Sequence, residues 1–162
     1  MKKIMDVYGY YANAEDMFEK EDSFYGSVLV DQDNTFEGVV QEYCGEEYSL
    51  VFGKVSKDKI DFVKVQRNDA RVAHRLEAER ENDKYYGYYS AKSIYIEIPI
   101  GECKVSTLPA DKTREETEFE RNLLQARIQV MSSDLGPLGQ ELYQDFINRK
   151  NQNVKEQPEI KK

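Results

Sequence analysis

The chain has 162 residues, a net charge of −8, 12 tyrosines and 7 phenylalanines, which fits one domain large enough to fold without disulfides or metals. The negative balance argues against nucleic acid or an anionic membrane surface as partner. No run of Lys or Arg exceeds two residues, and nothing approaches the roughly 18 apolar residues of a membrane span.

In chain order, MKKIMDVYGYY lacks the apolar core of a secretory signal. Cys44 and Cys103 are therefore expected to be reduced thiols of a cytoplasmic protein, inert in their strands. Asp6 to Tyr11 reads as a short strand, and Ala14 to Lys20 as one or two helical turns with Asn13 as N-cap. FYGSVLV, the turn DQDN and TFEGVVQEY then form a hairpin; YSLVFGKV, the turn SKDK and IDFVKVQ form a second. Arg67 to Asp83 is polar, and is either a marginal surface helix or the far ends of a long solvated hairpin. YYGYYS, SIYIEIPI and ECKVSTL complete about eight strands in succession, the pattern of a meander or barrel.

From Lys112 the period changes. Thr113 and Glu116 form a capping box, and Phe119, Leu123, Ala126 and Val130 define one apolar stripe of a helix ending near 131. SSDLGPLG breaks it at Pro137. A second helix over about 140–149 carries Leu142, Phe146 and Ile147 on one side. The expected organisation is a β-barrel over 1–111, helices packed on it over 112–150, and a disordered tail over 151–162.

Alternate strand residues face opposite sides, and strand glycines mark coiling or close approach in a barrel wall. With the glycines inside, Phe24, Gly26, Val28 and Val30 turn inward together, as do Phe36, Gly38 and Val40, and Val51, Gly53 and Val55. The same parity turns Tyr11, Tyr85 and Tyr89 inward and leaves Tyr8, Tyr10, Tyr86 and Tyr88 outside. That outer tyrosine patch is the expected seat of the C-terminal helices.

The run FYGSVLVDQDNTFEGVV, then KIDFVKV, then YYGYYS, resembles the small bacterial lipocalin-like barrels of the calycin group over about residues 6–106. The Gly-x-Trp often found in such barrels is absent, and the two C-terminal helices are longer than a simple member carries. The resemblance implies an antiparallel up-and-down β-barrel, complete or partly open, acting as a non-enzymatic container for a small apolar molecule. It transfers no catalytic residue.

The candidate chemistry is sparse. Asp31, Asp33, Thr35, Glu37 and Glu42 match calcium-loop spacing, but Phe36 occupies the position that needs glycine, so a hairpin is expected. His74 is the single histidine and its charged neighbours suggest a solvated side chain. Ser56 to Lys59 matches a Ser-x-x-Lys spacing, but within a turn. No metal site, cofactor or catalytic residue is expected. Ligand-binding candidates are the inward rings Tyr11, Phe24, Phe36, Tyr85 and Tyr89, which offer apolar bodies and, for the tyrosines, polar tips to a small apolar or amphipathic molecule. The alternative is a protein-interaction or homodimerisation module built on the C-terminal helices and outer tyrosines.

Overall fold

The computed structural model describes residues 3–13, 23–42, 48–66, 73–92, 96–109, 116–132 and 138–156. Eight strands run in sequence: β1 (Lys3–Asn13), β2 (Ser23–Val30), β3 (Thr35–Glu42), β4 (Tyr48–Val55), β5 (Lys59–Gln66), β6 (Ala73–Glu81), β7 (Lys84–Lys92) and β8 (Glu97–Pro109). Each pairs antiparallel with its neighbour, and β1 pairs with β8, so the sheet is a closed up-and-down barrel.

The expected count of eight holds, with a different partition. Ala73–Glu81 is a strand, the hairpin alternative for that polar stretch, because Leu76 and Ala78 alternate inward against Arg75, Glu77 and Glu79. SIYIEIPI and ECKVSTL are not two strands. Their strand portions belong to the single β8, with a bulge where its register against β7 shifts at Tyr89/Ser90.

The glycine parity is the one the barrel uses. Gly26 stands opposite Val40, Gly38 opposite Val51, Gly53 opposite Phe62 and Gly87 opposite Cys103, all on the luminal side. A Cβ added at Gly38 would fall 2.2 Å from the Ser27 carbonyl oxygen and 2.6 Å from the Val28 Cα. Only a residue without a side chain lets neighbouring backbones approach so closely inside a narrow barrel.

Three connections are tight turns: 31–34, 56–58 and 82–83. Asn34 (φ 66°) and Asn82 (φ 61°) take the left-handed conformation that asparagine tolerates. Asp33 Oδ1 accepts from the Thr35 backbone N–H (3.0 Å) and hydroxyl (2.5 Å), so this carboxylate holds a hairpin turn, as expected for the calcium-like spacing. SKDK is likewise a turn, with the Lys59 N–H donating to the Ser56 hydroxyl at 3.1 Å. The strand ends Asn13 and Ser23, Glu42 and Tyr48, Gln66 and Ala73, and Lys92 and Glu97 lie at the opposite end. The barrel therefore has a tight end and an end we call the mouth.

Two helices follow, α1 (Glu116–Met131) and α2 (Leu138–Glu156); α2 runs past the end expected near 149. Leu123, Ala126 and Val130 of α1 and Leu142 and Tyr143 of α2 are buried against Leu50, Phe52, Val65 and Ala73 on the outer barrel wall. The expected seat was wrong. The helices cover the outer face of β3–β6, while Tyr8, Tyr25, Tyr86 and Tyr88 stay 40–69 % exposed on the other side of the barrel. The reason is the outward side of β4 and β5, where Leu50, Phe52, Val63 and Val65 offer aliphatic and phenyl surface without hydroxyls to satisfy. Glu37, outward on β3, fixes the position. It accepts from the Arg127 guanidinium (2.9 Å) and the Tyr143 hydroxyl (2.7 Å), joining both helices to one strand. Thr113 of the predicted capping box, the short helix at 14–20, Pro137, Cys44 and residues 157–162 lie outside the described residues.

Candidate functional site

The strands place the five sequence-predicted rings in two groups. Tyr85 sits at the tight end, where its hydroxyl donates to the Ser56 carbonyl (2.8 Å) and Arg80 lies 5.9 Å above its ring. Phe36 packs on Phe62 (5.7 Å between ring centroids), which in turn meets Phe24 (6.2 Å). Phe24 also lies over Gly9, where an added Cβ would fall 2.1 Å from the ring. From the tight turns up to Phe24, side chains fill the lumen, as the diameter of an eight-stranded barrel allows.

Tyr11, Phe24 and Tyr89 meet nearer the mouth: Tyr11 is 5.2 Å from Phe24 and 4.8 Å from Tyr89 between ring centroids. Here the luminal face becomes polar. On β5 the inward sequence Ile60, Phe62 continues to Lys64 and Gln66; Lys64 is only 4 % exposed, with its ammonium 4.9 Å over the Tyr11 ring and 5.4 Å over Phe24. Its Nζ contacts the Glu42 carboxylate, which ends the inward series of β3. His74 opens the inward series of β6 and stands 6.4 Å from Tyr11 and 6.2 Å from Tyr89. Ser49 begins that of β4 and is fully buried. The expectation of a solvated His74 is thus corrected: its parity, shared with Leu76 and Ala78, turns it into the barrel despite the charges beside it in sequence.

The electrostatics follow from dryness. Burial pushes the Lys64 ammonium down to about 7, while the adjoining Glu42 carboxylate works in the opposite direction. Burial and the Lys64 charge hold His74 down near 4. Burial, with Tyr89 and Cys103 beside it, raises the Tyr11 phenol well above its ordinary range. Cys103, buried on β8, is pushed up to about 12 and stays a thiol. The Tyr11 and Ser49 hydroxyls are buried with no hydrogen-bond partner among the described residues. Sequence reasoning missed Lys64 and Ser49 and weighed Glu42 only as a calcium-loop position, although extending the glycine parity along β3, β4 and β5 turns all three inward.

The His74 environment predicts a pH effect. Its pKa falls from about 6.5 unfolded to about 4 folded, so between these values the unfolded chain binds more protons. Stability is therefore lost as pH falls through that window and is unaffected by His74 above it. Thermal melts from pH 7 to pH 4.5 should show a steeper fall in Tm for the wild type than for His74→Gln; parallel curves would place the imidazole in water.

A concavity of about 1140 Å³ lies outside the barrel between α2 and the β4–β5 hairpin, with Phe52 and Phe146 in its lining. Many of its charges already pair with one another or with near neighbours: Arg75 with Asp61 (2.7 Å), Arg149 with Asp145 (3.1 Å) and Lys150 with Asp31 (2.9 Å). The concavity holds one buried oxygen without a partner among the described residues, Asp33 Oδ2, whereas the mouth gathers the Tyr11 and Ser49 hydroxyls and the buried Lys64 ammonium, and is the stronger candidate. No helix among the described residues is long and apolar enough to cross a membrane. Compared with family models, curated proteins and solved structures, the chain matches none.

Proposed function

We propose that the protein is a lipocalin-like container that binds a small, partly apolar molecule at the mouth of its barrel, without turnover. Tyr11, Phe24 and Tyr89 form the apolar walls; Phe36 and Tyr85 are the packed floor beneath. The observation that carries the reading is the pair of buried, unpartnered hydroxyls of Tyr11 and Ser49 beside a buried ammonium. Each such group costs roughly 1–3 kcal/mol when left unsatisfied, and the polar end of a ligand would remove that cost. Tight turns at 31–34, 56–58 and 82–83 close the other end.

Native mass spectrometry of the protein purified from its own host tests this. A co-purifying organic molecule is expected, lost in Tyr89→Ala and retained in Tyr88→Ala on the outer face. Wild-type protein carrying no such molecule, and taking none up from a host lipid extract, would overturn the reading.

A second reading is an interaction surface for protein, a second copy included, since Tyr8 opposes Tyr25 across β1–β2 and both are more than 40 % exposed. Sedimentation velocity decides the dimeric form: a wild-type monomer at high micromolar concentration defeats it.

A further inference from the structure

This inference rests on the mouth being a ligand site and concerns what enters it. We propose that Lys64 captures an apolar aldehyde or ketone as an imine, with Glu42 carrying the proton and Tyr11, Phe24 and Tyr89 keeping water away. Lys64 is the most deeply buried charge of the polar mouth: the luminal series of β5 passes from Ile60 and Phe62 to Lys64 and Gln66, and an ion pair in such a place adds little stability over apolar residues of similar size. Lys59, five residues earlier, shows the ordinary alternative, about half exposed beside Glu77 at 2.7 Å.

The geometry supplies both partners of the reaction. Lys64 is buried and the Glu42 side chain 23 % exposed; moving one proton from Nζ to the carboxylate discharges both groups and leaves a free amine beside a carboxylic acid. Desolvation of this kind activates a lysine nucleophile, and it already draws the ammonium down to about 7. The amine lone pair attacks the carbonyl carbon, and a proton passes from nitrogen to oxygen to give the carbinolamine. Glu42 then donates its proton to that hydroxyl, the C–O bond breaks and water leaves. The product is a protonated imine paired with the Glu42 carboxylate. One water is released and no oxidant or reductant is needed. The Tyr11 hydroxyl, buried without a partner, is the donor available to the carbonyl oxygen. His74, held neutral chiefly by burial, adds no competing charge, and Cys103, pushed up to about 12, stays a protonated thiol and does not compete as nucleophile. The rings flanking Nζ favour an apolar carbonyl compound over a sugar.

The test is reductive trapping. Wild-type protein is incubated with decanal and sodium cyanoborohydride, then mapped by peptide mass spectrometry. The expected product is one aldehyde less one water plus two hydrogens on Lys64, formed at least about tenfold faster than on any surface lysine. Glu42→Gln should slow it about tenfold. The paired substitution Lys64→Met with Glu42→Gln should abolish it while raising Tm, because both charges leave together. Labelling spread evenly over surface lysines in the wild type, a measurement that needs no variant, overturns the proposal. Decanol, which cannot form an imine, separates this from the container reading. If decanol binds by calorimetry and decanal does not label Lys64, the imine fails and the container stands. If neither engages the lumen, both fail.

Discussion

Phe52→Ala should lower the free energy of unfolding by about 3–5 kcal/mol, the range for removing a buried phenyl ring. Phe52 is the keystone of helix docking. It points outward from β4, is 2 % exposed, and meets both Tyr143 and Phe146 of α2 at 5.3 Å between ring centroids. The void left by its removal opens between two rigid layers, a closed sheet and a pair of helices, so collapse can fill little of it. Urea unfolding measures the effect. A shift of midpoint at constant slope is the expected form, whereas a lower slope means that the helices have detached and the native state has lost buried surface. A loss below about 1 kcal/mol would contradict the packing of α2 on the wall.

One residue further on, the opposite change is expected to be as harmful. Gly53 faces the lumen, and a Cβ there would lie 2.1 Å from the Asp61 carbonyl oxygen and 2.5 Å from the Phe62 Cα. These are backbone atoms of the adjoining strand, in register with Gly53 through the β4–β5 ladder, and they cannot move aside without parting the strands. Gly53→Ala should therefore cost about 3 kcal/mol or more, at the upper end of overpacking. Gly9→Ala is the internal comparison. Its Cβ would meet the Phe24 ring, a side chain that can turn, so the loss should be smaller. Equal losses at the two positions would remove backbone approach as the cause.

These neighbours also illustrate what the sequence conveys and what it conceals. Position parity around the glycines located the lumen and its rings, because period two is a local property of every strand. The same parity carried along IDFVKVQ and TFEGVVQE reaches Lys64 and Glu42, yet a charged residue on an inward position is not recognisable as buried until the strands around it are placed. Ala73–Glu81 was ambiguous for a related reason: its helix-forming composition opposes its alternation, and pairing with β5 and β7 decides the contest. Helix docking was legible in the double-sided apolarity of YSLVFGKV. It went to the wrong wall because the tyrosine repeats of β1 and β7 are more conspicuous than Leu50 and Phe52. What joins α1 and α2 to Glu37 spans 90 and 106 residues of chain, a separation that no local pattern reports.

The ladder between β1 and β8 differs in kind from the other seven. Those join strands adjacent in the chain and can form progressively; this one brings Met5 opposite Pro109 and must await the whole meander. It is a seam, and it runs through the tyrosine face that the helices leave uncovered. Closure there is the slow, entropically demanding event of assembly, and a nascent chain holds β1 unpaired on that side until β8 is made. The wall clasped by α1 and α2 is thus built from strands adjacent in the chain, and the tyrosine side carries the ladder that closes last.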